Sequence, residues 1–322
     1  MAPIVSVVIC TYNRPALFAR TLRICLDQAT LTGLAHEIVV ADNGPARHAQ
    51  GIVDRMAATV PVRCIPCGPP NISIARNAGI AAARAPLIAF LDDDLEVAPG
   101  WLDALVAVMA DDRVDAALGP VRPVFEDGRP PGWDPGASAF TRVLDLPTGT
   151  PIAAAGPLQP PGFVVSTASS IWRRATCFTD PAPFDVAYGA SGGEDLDLFL
   201  RLQNRGRRFA WCAGAAVMET VLPHRTGFPF NRQRAYTFAQ AYASATVGNA
   251  PHPLRTALRL RAIGLAQAVV HGGVAVLLSL AAWLLPAARP LAQRQALRAV
   301  AGWGKVAWHD RHGLYQSEAP GG

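Results

Sequence analysis

VSVVICTYNRP, residues Val5 to Pro15, sets an apolar, β-branched run against an abrupt polar turn. A short apolar stretch without polar alternation reads as a strand buried on both faces, as parallel strands are. Past Pro15, apolar positions recur at helical spacing through Leu26, so the unit is strand, polar loop, helix. HEIVVADNG (His36 to Gly44) repeats it, with a helix expected from Ala46 to Ala58. VRCIPC (Val62 to Cys67) supplies a third strand, Asn71 to Ala85 a helix, and PLIAFLDDD (Pro86 to Asp94) a fourth strand that ends in three consecutive carboxylates. Strands alternating with helices imply right-handed crossovers and an α/β fold, with a mostly parallel, Rossmann-like sheet flanked by helices. Ligands of such sheets bind beyond the carboxyl ends of the strands. The polar TYNR, DNG and DDD segments all lie there, so three loops should converge on one crevice.

Outward from this half, Pro120 to Gly162 is dense in proline and glycine and reads as a long surface excursion bordering the crevice. A strand is expected near Phe163 to Trp172. GGEDLDLFLRLQNRG (Gly192 to Gly206) follows as a helix, with Glu194 and Asp195 at its N-terminus, where the helix dipole favours anions. FAWCAG (Phe209 to Gly214) and AAVMETVLPH (Ala215 to His224) close the domain. Ile263 to Leu285 then runs 23 residues without a charge, above the roughly 20 a helix needs to span a bilayer. Arginines flank it on both sides (Arg255, Arg259 and Arg261; Arg289, Arg294 and Arg298), so the positive-inside rule gives no orientation. A span, a helix lying in the interface and a buried helical hairpin are the three readings. The expected domains are 1–245, in two halves at 1–120 and 121–245, and a helical, membrane-associating region at 246–322.

Composition narrows the function. The 322 residues are 51% hydrophobic and only 16% charged, with a net charge of +5, and a mean hydropathy of +0.21, which the apolar C-terminal segment explains. No run of basic residues interleaved with aromatics supplies a phosphate-tracking stripe, which argues against a nucleic-acid partner. Six cysteines at this length make no disulfide framework. Cys64 and Cys67 form a lone CxxC without the second pair that a zinc site needs. Apolar patterning begins at Ile4 with no basic region or cleavage site before it, so the catalytic part is expected on the cytoplasmic side, at the inner face of the plasma membrane.

Asp92, Asp93 and Asp94 repel one another unless a cation neutralises them, and side chains at i and i+2 of a strand share a face. Asp92 and Asp94 are therefore candidates to act together, on a sugar and on a hard cation such as Mg²⁺ or Mn²⁺ shared with a diphosphate. The plain alternative is a solvated acidic turn, as at Asp111 to Arg113.

SVVICTYNR, VVADNG, NISIARNAGIAAARAPLIAFLDDD and GGEDLDLFLRL, in that order, resemble an inverting family-two glycosyltransferase of the GT-A nucleotide-sugar fold, over about residues 3–225. The resemblance implies a nucleotide-diphosphate-sugar donor, UDP-linked, a DxD metal site and single displacement at the anomeric carbon. It assigns Thr11, Tyr12 and Arg14 to the nucleotide loop, Asp42 to the base, and Arg76 and Asn77 to the donor. Asp92 and Asp94 fall on the DxD positions, with Asp93 between them in the donor-binding set. Asp195 takes the base role that an enzyme without a nucleophile requires, Glu194 being the alternative. His224 matches a position over the metal or diphosphate, its alternative being an ordinary loop histidine. Arg225, Arg232 and Arg234 are candidate diphosphate clamps or a solvated basic loop. Trp101, Trp133 and Trp172 are candidate sugar platforms, with packing as the expected role.

Two departures bear on function. ADNGP replaces the DDGS of many relatives, so Ala41 and Pro45 leave the base preference open. RQRAY (Arg232 to Tyr236) lacks the tryptophan of the processive QxxRW segment, which favours transfer of one sugar at a time to a lipid-linked or cell-envelope glycan. A nucleotidyltransferase would need a glycine-rich, lysine-bearing loop where CTYNRP stands, and a non-catalytic binder would not need Asp92, Asp94 and Asp195 together.

Overall fold

A computed structural model of the chain describes residues 2–56 and 60–309. The four expected strands are β1 (Val5–Thr11), β2 (His36–Asp42), β3 (Val62–Pro66) and β4 (Leu87–Asp92), joined by α1 (Pro15–Thr32), α2 (His48–Arg55) and α3 (Ile72–Ala82). The helix expected from Ala46 to Ala58 runs from His48 and ends at Arg55, with Met56 extended; Ala57 and Ala58 lie outside the described residues. Next come β5 (Leu95–Val97), α4 (Trp101–Val108), β6 (Ala116–Leu118), β7 (Val121–Phe125), β8 (Pro151–Ile152), β9 (Ser169–Arg173), α5 (Arg174–Cys177), α6 (Glu194–Asn204), β10 (Phe209–Trp211) and β11 (Val217–Val221). Four helices end the described chain: α7 (Pro223–Thr226), α8 (Phe228–Gly248), α9 (Pro253–Ala281) and α10 (Ala288–Val306).

The chain divides into two compact units. The first comprises residues up to Arg122, Arg142–Gly189 and Glu194–Thr220, and the second Pro123–Thr141, Ala190–Gly193 and the chain from Val221 onward. In the first, an eight-stranded sheet has the order β3-β2-β1-β4-β9-β6-β10-β8. Its β3, β2, β1 and β4 are mutually parallel, whereas β9 runs antiparallel to both β4 and β6. β11 leaves this sheet and pairs antiparallel with β5. The Pro-rich stretch does not simply border the strand ends near β1 and β4: its Pro151–Ile152 pairs with β10 at the far edge of the sheet.

The apolar runs of β1, β2 and β4 are buried on both faces, with Val8, Ile9, Val39, Val40 and Ile88 all at 0% exposure. The polar exceptions are paired. Ser6 Oγ donates to Glu37 Oε1 at 2.7 Å, and Arg63 Nη2 donates to Glu37 Oε2 at 2.9 Å. Gly79 brings α3 against β1, since a Cβ there would collide with the Val8 side chain. Asn71 starts α3 by accepting the Ile74 N–H at 3.2 Å, the capping bond that short polar side chains favour. Trp101 and Trp172 are fully packed at 2% and 0% exposure, so both are core residues and have no face for a sugar.

In the second unit, Trp133, Phe140 and Val221 form a small core, and Trp133 Nε1 donates to Thr226 O at 2.8 Å. The expected apolar segment is realised as α9, which starts ten residues earlier than Ile263 and ends at Ala281. It turns back into α10 as an antiparallel hairpin, with Gly264 against Gly302 and Gly272 against Ala299.

Candidate active site at the carboxyl edge of the sheet

Strand register assembles the site. β1 pairs with β2 so that Thr11 sits opposite Asp42, and with β4 so that Cys10 sits opposite Asp92. The last residues of three adjacent parallel strands therefore line one edge, where such sheets bind ligands.

The three consecutive aspartates differ in exposure: Asp92 ends β4, and Asp93 and Asp94 form the turn into β5. Asp93 points inward at 0% exposure, accepting from Thr11 Oγ1 at 2.7 Å and pairing with Arg14 Nη2 at 2.8 Å. Thr21 Oγ1 holds the same turn through the carbonyls of Asp93 and Leu95 at 2.9 and 2.8 Å. Asp93 was expected among the donor-binding residues, but its buried carboxylate is committed to the turn and has no surface left for a substrate. Asp94 is also buried and shares Arg14 with Asp93, pairing with Nη1 at 2.7 Å, whereas the Asp92 side chain is 34% exposed.

Arg76 is the hub. It lies 4% exposed on α3, with Nη1 donating to Glu194 Oε1 at 2.6 Å and Asp195 Oδ1 at 2.8 Å, and Nη2 3.6 Å from Asp92 Oδ1. Its guanidinium also stands 5.3 Å from the centre of the Phe184 ring. Burial alone would lower the Arg76 pKa, but Asp195, Glu194 and Asp92 outweigh it and hold the group firmly charged. Three carboxylates share this one cation. Burial, and then the charge of Asp195, push the Glu194 carboxyl up, and burial raises Asp92 against the pull of Arg76, with Asp94 adding to the rise. Glu194 Oε2 is buried with no hydrogen-bond partner among the described residues.

Asp195 is held on three sides. Oδ1 accepts from Arg76 and from Thr167 Oγ1 at 2.9 Å, and Oδ2 accepts, among the described residues, only the Thr167 N–H, at 3.1 Å. Thr167 is a partner of Asp195 that the sequence did not disclose. It lies in the turn before β9, 28 positions from its partner, and no local pattern marks it.

The other expected residues lie as follows. Asn77 Oδ1 accepts the Phe184 N–H at 2.9 Å while Nδ2 donates to Phe184 O at 2.8 Å. Ser73 Oγ donates to Asp185 O at 2.9 Å, so α3 pins the loop that precedes the Glu194–Asp195 pair. Asp42 accepts the N–H groups of Gly44 and Ala49, both at 3.0 Å, with Arg47 donating to its carbonyl. Tyr12 is half-buried in the β1–α1 loop. His224 belongs to the second unit, in α7, its ring edge-on to Phe230 at 6.2 Å. Arg234 lies over the rings of Phe140 and Phe238 in that unit, at 5.7 and 5.0 Å.

Among the described residues, no three His, Cys, Asp or Glu side chains gather into a metal cluster. The donor set nevertheless suits a cation brought in with a ligand. Asp92 and Asp94 are hard oxygen donors, one partly exposed, and Mg²⁺-type ions bind proteins through only one or two carboxylates plus substrate phosphates.

Comparison with known proteins agrees with this geometry. The family described as glycosyl transferase family 2 matches residues 6–168. The succinoglycan biosynthesis protein ExoM of Rhizobium meliloti (strain 1021) is 29% identical over 81% of this chain and 80% of its own length. The chondroitin synthase of Escherichia coli is 30% identical over 36% of this chain, which corresponds to only 17% of that enzyme. Among solved structures, the mannosyltransferase PcManGT from Pyrobaculum calidifontis, in complex with GDP-Man and Mn²⁺, superposes with a TM-score of 0.59 at 17% identity, over 96% of this chain and 89% of that one. At that identity the likeness establishes the fold.

Proposed function

The chain belongs to glycosyl transferase family 2, and we propose that it moves one sugar, with inversion, from a nucleotide-diphosphate donor to a hydroxyl of a cell-envelope glycan carried at a membrane. The observation that carries this reading is the carboxylate edge organised by Arg76. Asp195 sits there with Oδ1 doubly occupied and Oδ2 accepting a single backbone N–H. Oδ2 is the atom for the acceptor proton. The acceptor oxygen forms its bond to the anomeric carbon as the bond to the diphosphate breaks, its proton passes to Asp195, and the electron pair leaves with the nucleoside diphosphate. Inversion follows because no enzyme nucleophile intervenes, and a positioned base is what such a displacement requires. Arg76 and Thr167 fix the direction of the carboxylate, so part of the orientation is set before the substrate arrives.

Asp92 and Asp94 are the residues to hold a divalent cation, Mg²⁺ or Mn²⁺, whose chemistry is to neutralise charge on the departing diphosphate. Arg14, already on Asp94, is placed to follow that charge. The envelope-glycan acceptor is supported by likeness to a succinoglycan biosynthesis protein along most of both chains. The mannosyltransferase neighbour adds GDP-mannose to the UDP-sugars worth testing. Thermal shifts with a panel of nucleotide sugars and Mn²⁺ test the reading, because a donor at about 100 times its Kd stabilises by about 2.7 kcal/mol. Stabilisation by one donor class, lost in Asp94→Ala, is expected. No shift with any nucleotide sugar overturns it.

A further inference from the structure

The α9–α10 hairpin is built inside out for a water-soluble protein. Its inner seam is made of small residues: Ala257, Gly264, Ala268 and Ala275 on α9 and Ala288, Ala292, Ala299 and Gly302 on α10 are all buried. A Cβ on Gly264 would lie 2.6 Å from Gly302 O, so the two backbones touch. The polar residues that interrupt the apolar run also face the seam, with His271 Nδ1 2.6 Å from Gln295 Oε1 and Lys305 Nζ donating to Gln267 Oε1 at 2.8 Å. Leu260 is buried with Ala257 against α8, but past it the large apolar residues of α9 face outward. Val269, Val276, Leu277 and Leu280 are exposed along α9, and Trp283 and Leu284 at the turn reach 88% and 87%. Of the most apolar eighteen residues of α9, 17% are buried, whereas a core helix of a soluble protein is mostly buried.

We propose that this hairpin docks on an anionic lipid surface in a single leaflet, with the Trp283–Leu285 turn and the outer face of α9 in the headgroup and upper acyl layer. Charge selects the occupant. From Val221 through His309 the sequence has no aspartate or glutamate and ten basic residues, seven of them on α9 and α10. A second copy would meet that surface with like charge. An anionic bilayer complements it, and tryptophan at the turn suits the interface.

A span is excluded by the same geometry. α9 is about 43 Å long at about 1.5 Å per residue, long enough to cross, but α10 runs back along it and would carry Arg289, Arg294 and Arg298 through the hydrocarbon. Arg289 lies four residues beyond Leu285, so the turn enters by about one helical turn, about 5 Å. This deepens the membrane-borne part of the proposed function, and vesicle binding without sugar transfer tests it separately.

Full-length protein is added to preformed vesicles of phosphatidylcholine, with or without phosphatidylglycerol, and sedimented. Wild type is expected to pellet with the anionic vesicles and weakly with neutral ones. The combined change Trp283→Ser, Leu284→Ser and Leu285→Ser should lower partition at least about tenfold, with melting temperature and donor binding unchanged. Arg289→Gln, Arg294→Gln and Arg298→Gln together should weaken the preference for anionic lipid. Equal binding to both vesicle types, binding that survives the turn substitutions, association only after detergent reconstitution, or a free dimer that those substitutions return to monomer would each overturn the proposal.

Discussion

The sheet edge and the C-terminal hairpin break the ordinary rule of burial in opposite directions. At the edge, charged groups are inside: Arg76, Asp93, Asp94 and Glu194 are all under 10% exposed. In the hairpin, the greasiest side chains are outside. Charge follows the same division, since residues 1–220 hold 18 arginines against 22 acidic residues, while the described chain beyond holds basic residues alone. Buried polar groups and exposed apolar ones are the two informative exceptions in a folded chain. The first costs stability that only a partner can restore, and the second waits for a surface. The two regions therefore separate chemistry from attachment, and they should fail independently.

Asp195→Asn should break the first region most sharply. The amide keeps its size and some hydrogen bonding but accepts no proton, so turnover should fall by about 10²–10⁴-fold, with donor affinity and vesicle binding unchanged in stopped-time assays and sedimentation. Normal turnover with a dead Glu194→Gln would move the role to the neighbour. Asp94→Ala or excess EDTA should abolish metal-dependent donor binding by calorimetry while the protein stays folded; activity that persists in EDTA contradicts the metal reading.

Arg76→Met strands three carboxylates, and removing one partner of a buried ionic set costs about 3–5 kcal/mol, readable as a lower denaturation midpoint. Arg76→Lys should recover part of that stability. Thr167→Val removes one hydroxyl from Asp195 and leaves its backbone donor, worth about 0.5–1.5 kcal/mol. It should lower kcat several-fold with KM little changed, whereas Thr167→Ser should restore it.

The smallest effect is in pH. Glu194 and Asp92 have folded pKa values raised above their unfolded ones, chiefly by burial. Between the two values the folded state holds more protons, so these groups lose stability as pH rises above the ordinary carboxylate range. Melts of metal-free protein should therefore show Glu194→Gln gaining on wild type from pH 5 to 8. A constant difference would show that Glu194 titrates normally.

The first four strands, the helices between them and the edge carrying Asp42 and Asp92 were legible because each is a local pattern of apolar runs ending in polar loops. What escaped depends on distant partners. Arg76 meets Glu194 across 118 positions, and Asn77 meets Phe184 across 107, so neither bond leaves a mark in its own segment. Asp93 carries the same chemistry as its neighbours in the sequence, and only its partners Thr11, 82 positions away, and Arg14 mark it as the fully buried one. The helical character of 246–322, α10 included, is an expectation of the sequence, whereas α8 carries little amphipathic pattern to mark it, and the outward face of α9 is defined only by α10, which fixes the seam.

Direct displacement with Asp195 as base fixes the anomeric form of the released sugar. Donor hydrolysis, with water as acceptor, is followed by proton NMR before mutarotation, in wild type and Asp195→Asn. Direct displacement predicts a first-formed sugar of opposite anomeric configuration to the donor, at a rate that collapses in the variant. A first-formed sugar that retains the donor's configuration would contradict it.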